Sequence, residues 1–439
     1  MNKPYPDAPV FDDDETMSRD ELTFEQINGL RRVVCNAKNV EFYRDKLRDL
    51  EPEDIKKPDD LWRLPFTTKE DLRQNYPLKM LAVGRDKISR VHGSSGTTGK
   101  PTIVAYTEND VDTWANLCAR FLFAGGLRSS HFAHIAFGLG MFTGGFGLHF
   151  GINRVGAAIV PAAAGNTRRQ VMLLKDLAAD ALICTPSYAL TIAETMREEG
   201  LAPDDLPLSL GFFGGEIWTE EMRARIEKEL GIFATNNYGL SELIGPGVAG
   251  ECRYRCGMHI QEDHFLVECL NPQTLKPVKF GEEGELVFTA LTKEAMPIIR
   301  YRTRDIAALN YAPCECGRTG VRMSRVRGRT DDMLIIRGVN VYPSQIEEAM
   351  LRVSGAVSPH YLIEVDRPKQ LDVVTLKVEL TPENFSDRMD EMQTLRDRIA
   401  REVQVTAQIG VNVELLAPQS LERAAGKAVR VLDKRHLNR

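Results

Sequence analysis

Between residues 109 and 235 short apolar runs alternate with stretches whose apolar residues recur every three or four positions. Ala181-Leu182-Ile183-Cys184 is an unbroken apolar run and predicts a buried strand; Leu208 to Phe213 predicts another. Thr219, followed by Glu220 and Glu221, predicts a helix with a hydroxyl cap and early acids. That helix runs to about Leu230 and returns to a strand at Ile232-Phe233-Ala234-Thr235. The β-α-β rhythm predicts an α/β protein. From Glu262 to Leu309 strand and turn signals dominate, as in Gly284-Glu285-Leu286-Val287-Phe288.

Near Arg329 the pattern changes. Met333 to Gly338 reads as a hairpin piece, followed by a helix for which Ser344 and Glu347 have the spacing of a capping box. Strand-like runs follow at Tyr361 to Val365 and Val373 to Leu380. Met389, Met392, Leu395, Ile399 and Val403 then mark one face of a long helix. These features predict a large α/β domain over residues 1–328 and a small α+β domain over 329–439.

The 439-residue length supports two domains. Lysine and arginine total 56 against 62 acids, a net charge of −6 without a long basic run, so nucleic acid is not an expected partner. No basic-then-apolar leader is visible and no apolar run approaches a membrane span, so a cytoplasmic protein without membrane contact is expected. Eight cysteines in such a chain point to free thiols or metal ligands.

Ser94-Ser95-Gly96-Thr97-Thr98-Gly99-Lys100-Pro101-Thr102 concentrates hydroxyls, glycines and an ammonium, the chemistry of a phosphate grip. It is not a P-loop, because Pro101 follows Lys100 and the β-branched run 102–106 predicts a strand next. A Ser/Thr/Gly-rich surface turn has the same composition. Four further segments bear on the choice. Tyr238-Gly239-Leu240-Ser241-Glu242, placed just after a strand, offers a ring for a base and a carboxylate for Mg²⁺. Tyr301-Arg302-Thr303-Arg304-Asp305, read as a strand end, supplies a carboxylate that could bridge two ribose hydroxyls. Arg329-Thr330-Asp331-Asp332 lies at the domain junction, and Gly426-Lys427 on a polar stretch near the C-terminus. Read singly, a buried tyrosine, a salt-bridged strand end and a solvated basic tail explain them equally well.

In order and together, these segments resemble the adenylate-forming (acyl-CoA synthetase) superfamily. The resemblance extends to Leu64-Pro65-Phe66-Thr67-Thr68-Lys69, Cys184 to Leu190, Leu291 to Pro297 and Arg337 to Glu347, which are similar to the phenylacetate-CoA ligase family. It implies ATP, Mg²⁺ and coenzyme A as co-substrates and cofactor, an aryl acid as substrate, an acyl-adenylate intermediate and a homodimer. By that resemblance Lys427 and Glu242 are catalytic, Glu242 holding magnesium. Ser94 to Lys100, with Gly239 and Ser241, belong to the nucleotide site. Tyr238, Gly215 and Glu216 border adenine, and Asp305 and Arg329 hold the ribose. Asp331 is the hinge, and Arg337-Gly338 admit coenzyme A. Phe137, Phe142, Gly145 and Gly215 wall the acyl pocket, though a tightly packed helix entry accounts for the same glycines and aromatics. The sequence departs from the family pattern, which has tyrosine where Phe137 stands and Ala-Glu-Pro-Trp where Gly215-Glu216-Ile217-Trp218 stands; the glycine at 215 would enlarge the slot. Adenylation with delivery to a carrier-protein thiol, and a nucleotide-binding relative without catalysis, remain as alternatives.

Cys252-x₃-Cys256-x₂-His259 and the distant Cys314-x-Cys316 have the donor types and paired spacing of a structural Zn²⁺ site. Cys252, His259, Cys314 and Cys316 are the expected ligands, with Cys256 as competitor for one place.

Overall fold

A computed structural model describes residues 10–94, 101–353, 357–368, 371–385, 388–423 and 428–435. A 12-stranded mixed sheet organises the large part of the molecule. Its parallel half runs Ala158–Val160, Phe132–Ile135, Ala181–Cys184, Leu210–Gly214, Phe233–Leu240. Beyond Phe233–Leu240 the sheet turns antiparallel, through Gly245–Glu251, Met258–Ile260, Arg322–Met323, Tyr301–Asn310, Glu283–Ala290 and Phe265–Leu270. Gly328–Arg329 adds a second short pairing to Tyr301–Asn310. The central parallel strands Ala181–Cys184 and Leu210–Gly214 are apolar because helices cover them, and every residue of both is buried. Helix Glu220–Leu230 buries one stripe, and helix Pro186–Glu198 most of its surface, in a cluster with Leu182, Phe213 and Ala234.

The expected elements of this half form where the pattern places them. Thr219 caps the helix Glu220–Leu230, accepting from the Met222 amide at 3.2 Å. Two boundaries differ. Tyr238 and Gly239 lie inside the strand Phe233–Leu240 rather than after it, and Tyr301 to Asp305 begin their strand rather than end it. In both cases long-range pairing, with Gly245–Glu251 and with Glu283–Ala290, carries the strand through polar residues that local pattern reads as loop.

From Leu334 onward a separate apolar cluster forms, with Ile336, Ile346, Ile363, Leu376, Ile399 and Val403 fully buried. It fills the space between a four-stranded sheet and the helices Pro343–Arg352 and Met389–Ala407. The sheet order is Asn412–Leu416, Val373–Leu380, Val357–Asp366, Val431–Asp433. The long helix enters this core through its C-terminal half: Met389 is exposed, Met392 and Leu395 are half-buried, and Ile399 and Val403 are buried. Ser344 is not the cap of Pro343–Arg352. Tyr342 occupies that place, its amide donating to Gln345 Oε1 at 2.9 Å, because proline favours the first helical position. Ser344 instead donates to the Arg327 carbonyl, and Glu347 is buried. Among the described residues no helix is long and apolar enough to cross a membrane.

Candidate active site

The expected phosphate grip hangs from a two-stranded ribbon, Arg90–Gly93 paired antiparallel with Ile103–Tyr106. At its open end the Ser94 amide donates to the Thr102 carbonyl at 2.9 Å. Segment 103–106 is therefore a strand and not a helix, which excludes P-loop geometry. Ser95, Gly96, Thr97, Thr98, Gly99 and Lys100 lie outside the described residues, as do Gly426 and Lys427.

Tyr238, Asp305 and Arg329, far apart in sequence, meet at the sheet. The Tyr238 hydroxyl donates to Asp305 Oδ2 at 2.6 Å, and Arg329 Nη1 donates to Asp305 Oδ1 at 2.9 Å. Backbone register places them: Asp305 and Arg329 are cross-strand partners. A register shift between Glu285 and Val287, with Arg304 at φ +70°, turns Asp305 toward Tyr238. Burial raises the Asp305 carboxyl above its ordinary range against the pull of Arg329, and burial together with the Asp305 charge raises the Tyr238 phenol. Arg329 also grips Asp331 with two bonds, at 2.9 and 3.0 Å. Such a fixed carboxylate, backed by a phenol and a guanidinium, can accept from vicinal hydroxyls. Gly239 has a packing reason: a Cβ there would stand 1.9 Å from the Gly245 carbonyl oxygen.

Beside this group, Ser241 Oγ bonds Thr143 Oγ1 at 2.8 Å, tying the segment to the start of helix Thr143–Val155. Glu242 is 4% exposed, and its carboxylate faces Lys69 Nζ at 3.6 Å. Lys293, buried beneath, donates to the Glu242 carbonyl at 3.0 Å, and burial pushes its amine down to about 8. A buried carboxylate facing a half-exposed lysine suits Mg²⁺, which takes one or two protein oxygens plus phosphates. Lys69 and Lys293 carry no spacing signal in the sequence that points to their partners.

Gly215, at φ +83°, turns the chain out of strand Leu210–Gly214. Glu216 follows and accepts from the Ser187 amide at 2.6 Å, at the N-terminus of helix Pro186–Glu198. Phe137 is buried, and Phe142 folds over Gly144 at the head of helix Thr143–Val155. A Cβ on Gly145 would come 2.7 Å from the Gly138 carbonyl, whereas one on Gly138 or Gly140 would meet nothing within 4 Å. Gly145 thus packs a helix entry, and open space lies beside Gly138 and Gly140. Arg337, at φ +50°, is tied to Asp372 within the small part, and Gly338 follows it at φ +83°.

Cys252, His259, Cys314 and Cys316 converge, their ligand atoms all within 4.8 Å of one another. Cys252 Sγ and Cys314 Sγ are 3.8 Å apart, and Cys316 Sγ lies 3.4 Å from His259 Nε2. A tetrahedron with Zn–S bonds of about 2.3 Å has S···S edges of about 3.8 Å, so the donor set fits zinc. The Cys252 thiol and the His259 ring hold Cys316 far below the ordinary thiol range, as a ligand thiolate requires. Cys256 points away, exposed and bonded to the Tyr254 carbonyl at 3.2 Å.

The AMP-binding enzyme family model matches residues 29–290, and the AMP-binding enzyme C-terminal domain model matches 338–435. A phenylacetate-coenzyme A ligase of Thermus thermophilus is 47% identical over 438 residues, covering 96% of this chain and 98% of that protein. One of Escherichia coli K12 is 44% identical, covering 96% and 97%. The chain belongs to the phenylacetate-CoA ligase family. Within that family's fold, a crystal structure of 2-hydroxyisobutyryl-CoA ligase in the postadenylation state superposes with a TM-score of 0.91 at 29% identity, covering 97% of this chain and 92% of that one. The same ligase in its thioesterification state, with CoA, gives 0.71 at 30% identity, covering 97% and 93%. Both are structures of one ligase, and this chain superposes more closely on the postadenylation one.

Proposed function

We propose that this chain is an AMP-forming acid–thiol ligase that joins a phenylacetate-like aryl acid to coenzyme A through an acyl-adenylate. The hydrogen-bonded set Tyr238–Asp305–Arg329, built for a ribose and set beside a buried Glu242, carries this reading. A carboxylate oxygen of the acid bonds to the α-phosphorus of ATP and pyrophosphate leaves. The CoA thiolate then bonds to the acyl carbon and AMP leaves, so the oxygen that attacked phosphorus departs with AMP. Asp305 and Arg329 hold the ribose through both steps, and the Tyr238 ring lies along the base with Gly215 and Glu216. Magnesium held on Glu242 would supply charge neutralisation at the phosphates. Ser94 to Lys100, with Ser241 and Gly239, grip the phosphates, and Lys69 adds an ammonium at the same place. Lys427 neutralises the carboxylate and α-phosphate in the first step only. The small domain, beginning at Arg329, turns about Asp331 and brings Arg337-Gly338 to the site for coenzyme A.

Zinc on Cys252, His259, Cys314 and Cys316 would be structural, since protein fills all four places. A cytoplasmic homodimer rests on the family resemblance. Phe137 and Gly215 set the acyl slot; glycine at 215 leaves room for aryl acids bulkier than phenylacetate. The deciding experiment incubates the protein with MgATP, CoA and a panel from phenylacetate through hydroxyphenylacetates and indoleacetate to benzoates. Acyl-CoA and AMP are then measured by mass spectrometry. Acyl-CoA formation from an arylacetate is expected; AMP without any acyl-CoA would overturn the ligase reading.

A further inference from the structure

The small domain meets the large one at the helix Glu220–Leu230, where Arg225 Nη1 donates to the Val357 carbonyl at 2.7 Å, and at three stations at or beside the helix Pro186–Glu198. At the first, Arg430 Nη2 donates to Ser187 Oγ at 2.9 Å, while the Ala428 amide lies 3.4 Å from Glu216 Oε2. At the second, the Glu194 carboxylate lies between two side chains of the small domain: its Oε1 is 3.2 Å from His360 Nε2 and its Oε2 is 3.3 Å from the guanidinium Nε of Arg423. At the third, Gln419 Nε2 donates to Glu198 Oε1 at 2.5 Å. Positions 187, 194 and 198 are seven and four residues apart, so they share one helical face. Arg423 and Ala428 stand on either side of 424–427, the stretch that carries the proposed adenylation lysine.

The middle station differs from the others. Ser187 and Glu216 have partners within the large domain in any arrangement, because Glu216 caps the helix. Arg423 likewise keeps Glu379 in its own domain, at 2.6 Å. Glu194 has His360 and Arg423 across the boundary, so these contacts depend on how the small domain is placed against the large one. A contact made in one state and absent in the other shifts the balance between them by its whole strength.

We propose that Glu194 is a positioning residue for adenylation: by bridging His360 and Arg423 it holds the small domain in the arrangement that serves the first half-reaction and must be released for the second. It touches no substrate and acts through His360 and Arg423 of the small domain. Resting as it does on the ligase reading, it predicts a split between half-reactions that a folding defect would not produce.

The test measures acid-dependent ATP–pyrophosphate exchange and, separately, acyl-CoA formation from supplied acyl-adenylate and CoA. In Glu194→Gln, exchange should fall about tenfold, the shift that loss of about 1.4 kcal/mol in the balance gives, while thioester formation holds or rises. In Glu194→Lys, which sets an ammonium against the Arg423 guanidinium, exchange should fall further with the second half-reaction still intact. Equal loss of both half-reactions, or no change in either with both variants folded by circular dichroism, overturns the latch. Inactivity of the unaltered chain with every acid instead overturns the ligase reading on which it stands.

Discussion

Two kinds of junction join the parts of this molecule, and they are built on opposite principles. At the proposed pivot, Asp305 and Arg329 are held by strand register, hydrogen bonds and a carboxylate–guanidinium pair inside one sheet. At the helix Pro186–Glu198 the contacts are side-chain bridges between separately folded cores, without shared strands. Backbone ladders break only on unfolding, whereas exposed or half-exposed ion pairs contribute a kcal/mol or so each and exchange readily with water. A two-step enzyme needs both: one joint that never opens and another that opens every turnover.

The strongest break of this comparison is on the movable side. Lys427→Ala should lower adenylation by at least a hundred- to a thousandfold, the usual effect of removing one preorganised charge from developing anionic charge. Conversion of supplied acyl-adenylate to acyl-CoA should be largely spared. Loss of both half-reactions alike would contradict a lysine that serves one step.

On the fixed side, Asp305→Asn should raise KM for ATP ten- to a hundredfold, the weight of a charge-assisted hydrogen bond to a hydroxyl. Both half-reactions should suffer, because the ribose is held in both; an effect on the first alone would count against a permanent joint.

A third change loosens the support of that joint. His259 and Arg322 are register partners, and the chain runs from Arg322 to the pivot strand Gly328–Arg329, so the thiolate cluster braces it from behind. Cys314→Ser should abolish zinc stoichiometry in metal analysis and lower Tm by roughly 10 °C, as a loss of a few kcal/mol does. Full zinc content in the variant would remove Cys314 from the ligand set.

The smallest effect belongs to Glu347, buried in the small domain near Arg430, Tyr361 and Glu216. Burial pushes its carboxyl up to about 7 from an ordinary 4.5. The folded state therefore binds a proton that the unfolded state releases between these values. The stabilisation is full below about 4.5 and is lost as pH rises through about 7. Glu347→Gln should flatten that dependence and add about 1–3 kcal/mol at pH 8 in urea unfolding. An unchanged slope between pH 5 and 8 would assign it elsewhere.

Local pattern reached what local interactions build. Ala181–Cys184 and Val373–Leu380 are legible because apolar runs and short-range alternation determine them, and the Thr219 cap because it is a contact three residues long. Ser344 was misread because a proline at the preceding position overrides hydroxyl spacing. The continuous sheet is invisible in the sequence, since its antiparallel half pairs strands such as Met258–Ile260 and Arg322–Met323 across tens of residues. The site divides the same way. Tyr238, Glu242, Asp305 and Arg329 were legible as motifs, and Cys252, His259, Cys314 and Cys316 as metal-ligand pairs. Lys69, Glu194 and Arg430 gain meaning only from partners on distant elements.

In the proposed cycle, the register of Asp305 opposite Arg329, with Arg329 gripping Asp331, sets the axis of the swing almost at the sugar. Points near an axle barely travel while the far end of the arm sweeps a wide arc. A domain of about 110 residues can therefore exchange the face it presents to the reacting carbon while the nucleotide end stays still. The ligand's grip and the machine's bearing are one structure.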